Sequence, residues 1–252
     1  MSEPLLEAIG LSKRFGGLHA VRGVSLAVAP QSITALIGPN GAGKTTLFHM
    51  MSGFMPPDSG EVRFAGETIT GLAPHFVCRR GLARTFQIVQ PFAGQTVRQN
   101  IAVGAHLHLA SRSAALAEAG RVAERLGLAS QLDKPASSLT IAGRKRLEVA
   151  RALATRPRML LLDEVLAGLN PQEINEVIPV IRAIRDSGVT VLMIEHVMQA
   201  VMNLAEQVHV LANGALIASG TPHQVTEDPA VIEAYLGHGA AGRLKSMGAS
   251  HA

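Results

Sequence analysis

Hydrophobic positions along this chain fall into distinct textures, and each predicts a different kind of element. Near the start, Leu5 to Phe15 and Val24 to Val28 have the apolar content of strands, and Gly16-Gly17 marks a turn after the first. Ser32 to Ile37 is a short β-branched apolar run, the mark of a further strand, and Thr45 to Ser52 reads as the start of a helix. Pro56-Pro57-Asp58-Ser59-Gly60 is a strong break after that helix, and Glu61 to Phe64 then alternates polar and apolar as a half-exposed strand does. From about Gln99 to Arg156 alanine, leucine and arginine dominate and no strand pattern appears, which predicts a helical insertion. Strand signals return at Met159 to Leu162 and Thr190 to Ile194, continuous apolar runs suited to parallel strands covered on both faces.

Between those two runs the pattern predicts a helix with Asn170 as N-cap and Pro171 in its first turn. Ile174, Val177, Ile178 and Ile181 form its apolar stripe, and Pro179 inside the stripe is expected to kink it. Val208 to Ala212 and Ala215 to Ser219 flank Asn213-Gly214, a hairpin turn. Asp228-Pro229 opens a last helix, expected to turn Val231, Ile232, Tyr235 and Leu236 inward and to close at Gly237. Residues 238–252 carry too few apolar side chains to pack and are expected to form a mobile tail. The alternation of strands and helices predicts an α/β fold, a parallel sheet between helices, with the ligand at the carboxyl ends of the strands.

The 252 residues, 47% of them hydrophobic, suffice for one large domain or two small ones. No apolar run approaches the roughly 20 residues of a membrane span. The segment Met1-Ser2-Glu3-Pro4 lacks the basic and apolar regions of a signal peptide, so a cytoplasmic protein is expected. Cys78 is the sole cysteine, which excludes an internal disulfide and a thiolate zinc site and predicts a buried or half-buried apolar role. The net charge of +4 is spread without a long basic run, and there is no Trp and one Tyr, so stacking platforms for single-stranded nucleic acid are not expected.

The chemistry is concentrated in Gly38-Pro39-Asn40-Gly41-Ala42-Gly43-Lys44-Thr45-Thr46. This stretch matches the phosphate-binding pattern G-x-x-x-x-G-K-[ST], with a strand before it and a helix after it. Triphosphate oxygens are densely charged and need many donors at short range; glycines let backbone N–H groups come close. Lys44 is placed to reach the β- and γ-phosphates and Thr45 to ligate Mg²⁺ through its hydroxyl.

A second group comes from Met159-Leu160-Leu161-Leu162-Asp163-Glu164, an apolar strand ending in two acids. At such a tip Asp163 can serve Mg²⁺, and Glu164 can align and deprotonate a water. His196, after the strand ending at Ile194, can touch the γ-phosphate or orient that water, whereas Glu195 reads as a solvated or structural acid.

With these motifs in place the chain, from about Leu5 to Gly237, resembles the nucleotide-binding subunit of ABC transporters. The resemblance implies a P-loop ATPase domain over residues 1–237, with a parallel-sheet core (1–87 and 159–237), an antiparallel β-subdomain and a helical subdomain at about 88–158, followed by a tail at 238–252. It implies ATP and Mg²⁺ as ligands, Phe15 as the aromatic that stacks on adenine, and Gln87 of Thr85-Phe86-Gln87 as the residue that senses Mg²⁺ near the membrane subunits. Ala167-Gly168-Leu169-Asn170 resembles the loop that meets the opposite subunit. The family's signature L-S-G-G-Q corresponds to Leu139-Thr140-Ile141-Ala142-Gly143, a departure that keeps a hydroxyl at Thr140 and the backbone N–H groups of Ala142 and Gly143, but adds bulk at Ile141.

Gly81 to Gln87, Ala167 to Pro171, Ile194-Glu195-His196 and Glu227 to Gly237 resemble branched-chain amino-acid uptake ATPases in particular. That likeness implies an ATPase at the cytoplasmic face of the inner membrane, peripheral to it. Its partners would be a second ATPase subunit, identical or related, two transmembrane permeases and, indirectly, a periplasmic substrate-binding protein; no nucleic acid is expected. Urea or amide importers and lipopolysaccharide exporters share part of the pattern. A soluble ATPase acting on nucleic acid or ribosomes, and a non-hydrolysing regulatory partner, are the other readings the residues leave open.

Overall fold

The computed structural model of the protein describes residues 3–88 and 90–236; the expected helix end at Gly237 and the tail beyond it lie outside the described residues. Along the chain run strands β1 (Leu6–Phe15), β2 (Leu18–Val28) and β3 (Ile33–Ile37), helix α1 (Lys44–Met51), then β4 (Ser59–Phe64) and β5 (Glu67–Thr68). Next come α2 (Pro74–Arg79), β6 (Leu82–Arg84), α3 (Val97–Ala105), α4 (Arg112–Arg125), α5 (Ile141–Leu153), β7 (Met159–Asp163), α6 (Pro171–Asp186) and β8 (Thr190–Ile194). The chain closes with α7 (Met198–Leu204), β9 (Gln207–Ala212), β10 (Ala215–Gly220), α8 (Pro222–Glu227) and α9 (Pro229–Leu236). No helix among the described residues is long and apolar enough to cross a membrane.

The described residues fall into two units, one from residues up to 71 together with 194 onward, the other from 72 to 193. In the first unit an antiparallel sheet is ordered β2-β1-β4-β5, with Leu6 opposite both Val28 and Phe64. The alternation read in Glu61 to Phe64 is realised: Val62 and Phe64 are buried while Arg63 is exposed. Strand β2 starts at Leu18, earlier than the Val24 the pattern suggested, because pairing with β1 begins directly after the two-glycine turn at Phe15↔Leu18. In the same unit β3 lies parallel to β9, from Thr34↔Gln207 to Ile37↔Val210, and β9 turns back into β10. The turn uses Asn213 and Gly214 at φ 49° and 79°, the left-handed pair that a two-residue hairpin requires.

The second unit holds β8-β7-β6 as neighbours, with β6 parallel to β7 (Leu82↔Met159, Arg84↔Leu161). Every residue of β7 and β8 is buried, as their unbroken apolar runs predict. Helix α6 opens with the expected Asn170 cap, completed by Glu173 in a reciprocal capping box, and continues without interruption through Pro179. Its buried stripe is Ile174, Val177, Ile178, Ile181 and Ile184. Burying such side chains contributes roughly 1.5–3 kcal/mol each. The alanine- and leucine-rich stretch forms α3, α4 and α5, with Thr96 and Gln99 closing a capping box on α3. The unit boundaries at 71/72 and 193/194 differ from the limits of this helical stretch, because the second unit also takes in β6, β7 and β8.

One expectation is corrected. In α9 only Val231 is buried; Tyr235 is 43% and Leu236 64% exposed, so the helix does not bring all four apolar residues inward. Val231 and Tyr235 are four residues apart and share one face, but Tyr235 lies in the last turn and stays partly exposed, while Leu236 lies off that face. Cys78 is half-buried, and burial pushes its thiol up, which disfavours the thiolate.

Candidate active site

The glycine loop occupies the connection from β3 to α1 in the first unit. Strand β3 is wholly buried and delivers the chain to Gly38, and α1 begins at Lys44. Gly43 is the cap residue of α1, at φ 101°, and no side chain caps the helix. No side chain therefore competes with an anion at the first turn, where the N–H groups and the helix dipole favour negative charge. Gly43 must be glycine for a second reason: a Cβ on it would lie 2.3 Å from the Ala20 carbonyl oxygen of β2. The loop is tied to the β9–β10 turn by the Gly214 N–H, which donates to the Ala42 carbonyl at 3.1 Å, and Gly214 in turn accepts from the Arg22 N–H at 2.8 Å.

Lys44 is 8% exposed, and its ammonium donates to the carbonyls of Gly38 (2.7 Å) and Pro39 (3.0 Å). It lies folded across its own loop, a cation held at the centre of the cradle. Asn40, Gly41 and Thr45 are exposed, Pro39 and Thr46 half-exposed, and Ala42 buried. Phe15 ends β1 and is 46% exposed. His196 is exposed two residues beyond β8, whereas Glu195 is fully buried, which excludes its solvated reading.

The second unit brings Gln87, Asp163 and Glu164 together. Gln87 Nε2 donates to Glu164 Oε2 at 2.7 Å. Asp163 ends β7 at 2% side-chain exposure, and Arg84 Nη2 at the tip of β6 donates to its Oδ2 at 2.7 Å. The Asp163 N–H donates to Thr85 Oγ1 at 3.0 Å, fixing the turn from strand into loop. Glu164 itself stands at φ 49°, a left-handed conformation that residues with a Cβ avoid.

Residues 139–143 open α5. Thr140 is the N-cap, and its Oγ1 accepts from the Gly143 N–H at 3.1 Å, so that donor, expected to face a phosphate, is engaged inside the cap. Ala142 and Gly143 are buried, while Thr140 and Ile141 are exposed, Ile141 at 62%.

Three residues that sequence reading passed over complete this cluster: Arg84, Lys145 and Glu148. Lys145 Nζ donates to the carbonyls of Glu164 (2.9 Å) and Ala167 (2.5 Å). Glu148 is 9% exposed and accepts from the Phe86 N–H. Burial pushes the Glu148 carboxyl up and the Asp163 charge adds to this, against the Phe86 N–H and the charges of Arg151 and Lys145. The one signal in the sequence was an acid and a lysine three residues apart on a helix otherwise read for its core spacing. Among the described residues no three His, Cys, Asp or Glu side chains gather as a metal cluster. A Mg²⁺ ion bound to phosphates takes one or two carboxylates and fills its shell with phosphate oxygens and water, and the buried Asp163 carboxylate at the tip of β7 is a donor of that kind.

Strand, glycine loop, uncapped helix and a buried acid at a parallel strand tip define an α/β nucleotide-binding protein of the phosphate-loop class. The family model described as "ABC transporter" matches residues 21–167, and that of the "Branched-chain amino acid ATP-binding cassette transporter" matches residues 215–241. The high-affinity branched-chain amino acid transport ATP-binding protein BraF of Pseudomonas aeruginosa is 42% identical, over 94% of this chain and 99% of its own. The corresponding protein LivG of Escherichia coli K12 is 41% identical over the same shares. A crystal structure of the ADP conformation of an ATP-binding cassette from an ABC transporter superposes with a TM-score of 0.86 at 32% identity, covering 94% of this chain and all of that one. The chain belongs to the ABC transporter family, among its branched-chain amino acid ATP-binding cassettes. It is an ATP-binding ATPase.

Proposed function

We infer that this protein is the ATP-hydrolysing subunit of an ABC importer for branched-chain amino acids. The observation that carries the reading is that one chain, alike to such proteins over 94% of its length, holds both an uncapped glycine loop around Lys44 and the Gln87–Glu164 pair.

ATP is the substrate. The α1 N-terminus and the loop from Gly38 to Thr46 bind its phosphates, and Lys44 moves its ammonium from the Gly38 and Pro39 carbonyls to phosphate oxygens. Phe15 offers its exposed ring to the adenine. Thr45, Asp163 and Gln87 would hold Mg²⁺, which when bound neutralises phosphate charge. Glu164 orients a water and accepts its proton, with Gln87 steering the carboxylate and His196 supporting the γ-phosphate side. Asp163 is held in place by Arg84, a buried partner whose loss would leave the pair's other member without its ion pair.

ATP held by this chain is completed by residues 139–143 of a second ATPase subunit, identical or related, so nucleotide bridges the two and biases them to the closed state. The exposed Ile88 and Phe92, at 73% and 44%, with Phe86 at 45% just before them, give the stretch from Gln87 to Gln99 an apolar surface suited to two membrane permeases. The protein would thus sit peripherally at the cytoplasmic face, served indirectly by a periplasmic binding protein.

The test is turnover with the sister subunit supplied. Glu164→Gln should keep ATP binding and slow hydrolysis at least ~100-fold, the scale of a lost general base. Lys44→Ala should weaken both. Near-normal turnover in Glu164→Gln removes Glu164 from the base role, and unchanged ATP affinity in Lys44→Ala removes the cradle.

A further inference from the structure

Helix α5 opens on residues 139–143, and one turn later it sends two side chains into the segments that carry Gln87 and Glu164. Lys145 and Glu148 are three residues apart and so share a face. Lys145 Nζ bridges the carbonyls of Glu164 and Ala167 at 2.9 and 2.5 Å. Glu148 receives the N–H of Phe86, the residue directly before Gln87. Lys145, Glu148, Phe86, Gln87, Asp163 and Glu164 line one recess of the second unit.

The backbone at Glu164 explains what the lysine is for. At φ 49° this residue occupies a region open mainly to glycine, and such a conformation persists only where its surroundings over-determine it. The turn from Glu164 to Ala167 is closed by its own hydrogen bond, the Ala167 N–H donating to the Glu164 carbonyl at 3.2 Å. Lys145 adds a cation on both carbonyls of that turn. The direction in which the Glu164 side chain leaves the backbone is thereby fixed from α5, while Gln87, itself anchored through Phe86 and Glu148, holds the carboxylate end.

We propose that Lys145 is a positioning residue for Glu164, and that with Glu148 it makes α5 the lever by which a nucleotide seated on residues 139–143 is felt at the Gln87–Glu164 hydrogen bond. The inference rests on the assignment of Glu164 as the base. A helix is stiff along its axis, so a shift of its first turn moves both anchors together. The nucleotide on residues 139–143 is the one bound by the sister subunit's loop, so ATP at one site adjusts the base that serves the other.

The experiment compares Lys145→Met and Lys145→Arg, each alone and combined with Glu164→Gln, in the complex with the sister subunit. It reads kcat, KM, nucleotide affinity and melting temperature. Lys145→Met should lower kcat about tenfold or more, part of the roughly 10²–10⁴ that a positioned base supplies, with KM for ATP changed less than about twofold. Lys145→Arg should recover at least half of the rate, since a guanidinium can still donate to two carbonyls. In the Glu164→Gln background Lys145→Met should change the residual rate by less than about twofold, because the group it positions is gone. A wild-type kcat in Lys145→Met, or a tenfold loss that persists in the Glu164→Gln background, overturns the proposal. A Glu164→Gln variant at the wild-type rate removes the base assignment itself, and this inference falls with it.

Discussion

Substituting alanine at two glycines of the same loop separates backbone strain from collision. Gly43 and Gly41 both have positive φ, 101° and 77°. At Gly41 a Cβ meets nothing within 4 Å, so Gly41→Ala carries only the conformational cost, roughly 1–2 kcal/mol. At Gly43 the same Cβ would stand 2.3 Å from the Ala20 carbonyl oxygen and 3.4 Å from the carbonyl carbon, with Leu211 Cδ2 also at 3.4 Å. The obstacle is backbone of a paired strand, so no rotamer change relieves it. Overpacking of this kind adds about 1–3 kcal/mol to the strain. Gly43→Ala should therefore be the less stable by about 1–3 kcal/mol. For a chain of this size that places its melting temperature roughly 2–12 °C below that of Gly41→Ala. Thermal unfolding of the two purified variants, without nucleotide, measures the difference. ATP affinity should follow the same order, since relieving the contact displaces the first N–H groups of α1. Equal melting temperatures would show that β2 yields freely beneath the loop, and would refute the claim that its carbonyl sets the close approach.

The remaining expectations concern stability in each unit. His209 is 6% exposed with Nδ1 2.7 Å from Ser219 Oγ, and burial lowers its pKa below the ordinary 6.5, against a backbone hydrogen bond at Ala27. The unfolded chain thus takes up a proton near pH 6.5 that the folded state refuses, so stability is full above that pH and is lost as pH falls below it. His209→Gln should flatten the decline in melting temperature between about pH 7.5 and 5.5; an unchanged slope would place the titration elsewhere. Asn170 accepts from the Glu173 N–H at 3.0 Å while Glu173 returns the bond to the Asn170 N–H at 2.9 Å. Asn170→Ala should cost about 1 kcal/mol, and Asn170→Asp should keep most of it, read as urea midpoints at constant slope. Equal midpoints for wild type and Asn170→Ala would deny the cap its role.

Local signals carried far in this chain. The glycine loop, the acid-tipped strand, the Asn170 cap and the Asn213-Gly214 turn were all legible because each depends on residues within a few positions of one another. Strand β6 escaped notice: three residues, Leu82 to Arg84, become a strand only by lying parallel to β7. The early start of β2 was hidden for the same reason, since its first residues are held by pairing with β1 and not by their own pattern. Tyr235 and Leu236 misled because apolar character says neither which face of a short helix meets a core nor how far along the helix that core reaches.

By itself the sequence determined the chemistry: a phosphate loop with its lysine and threonine between a strand and a helix, and an Asp-Glu strand tip. These are written in neighbouring residues, whose backbone preferences and donor groups act over one turn or one strand. Only the tertiary structure decided how the machinery is held. Arg84 meets Asp163 across 79 positions, Phe86 meets Glu148 across 62, and Lys145 closes on the Glu164 turn across 19. Such contacts depend on where the folded chain passes, and a charge in the sequence carries no mark of the partner that packing will bring to it.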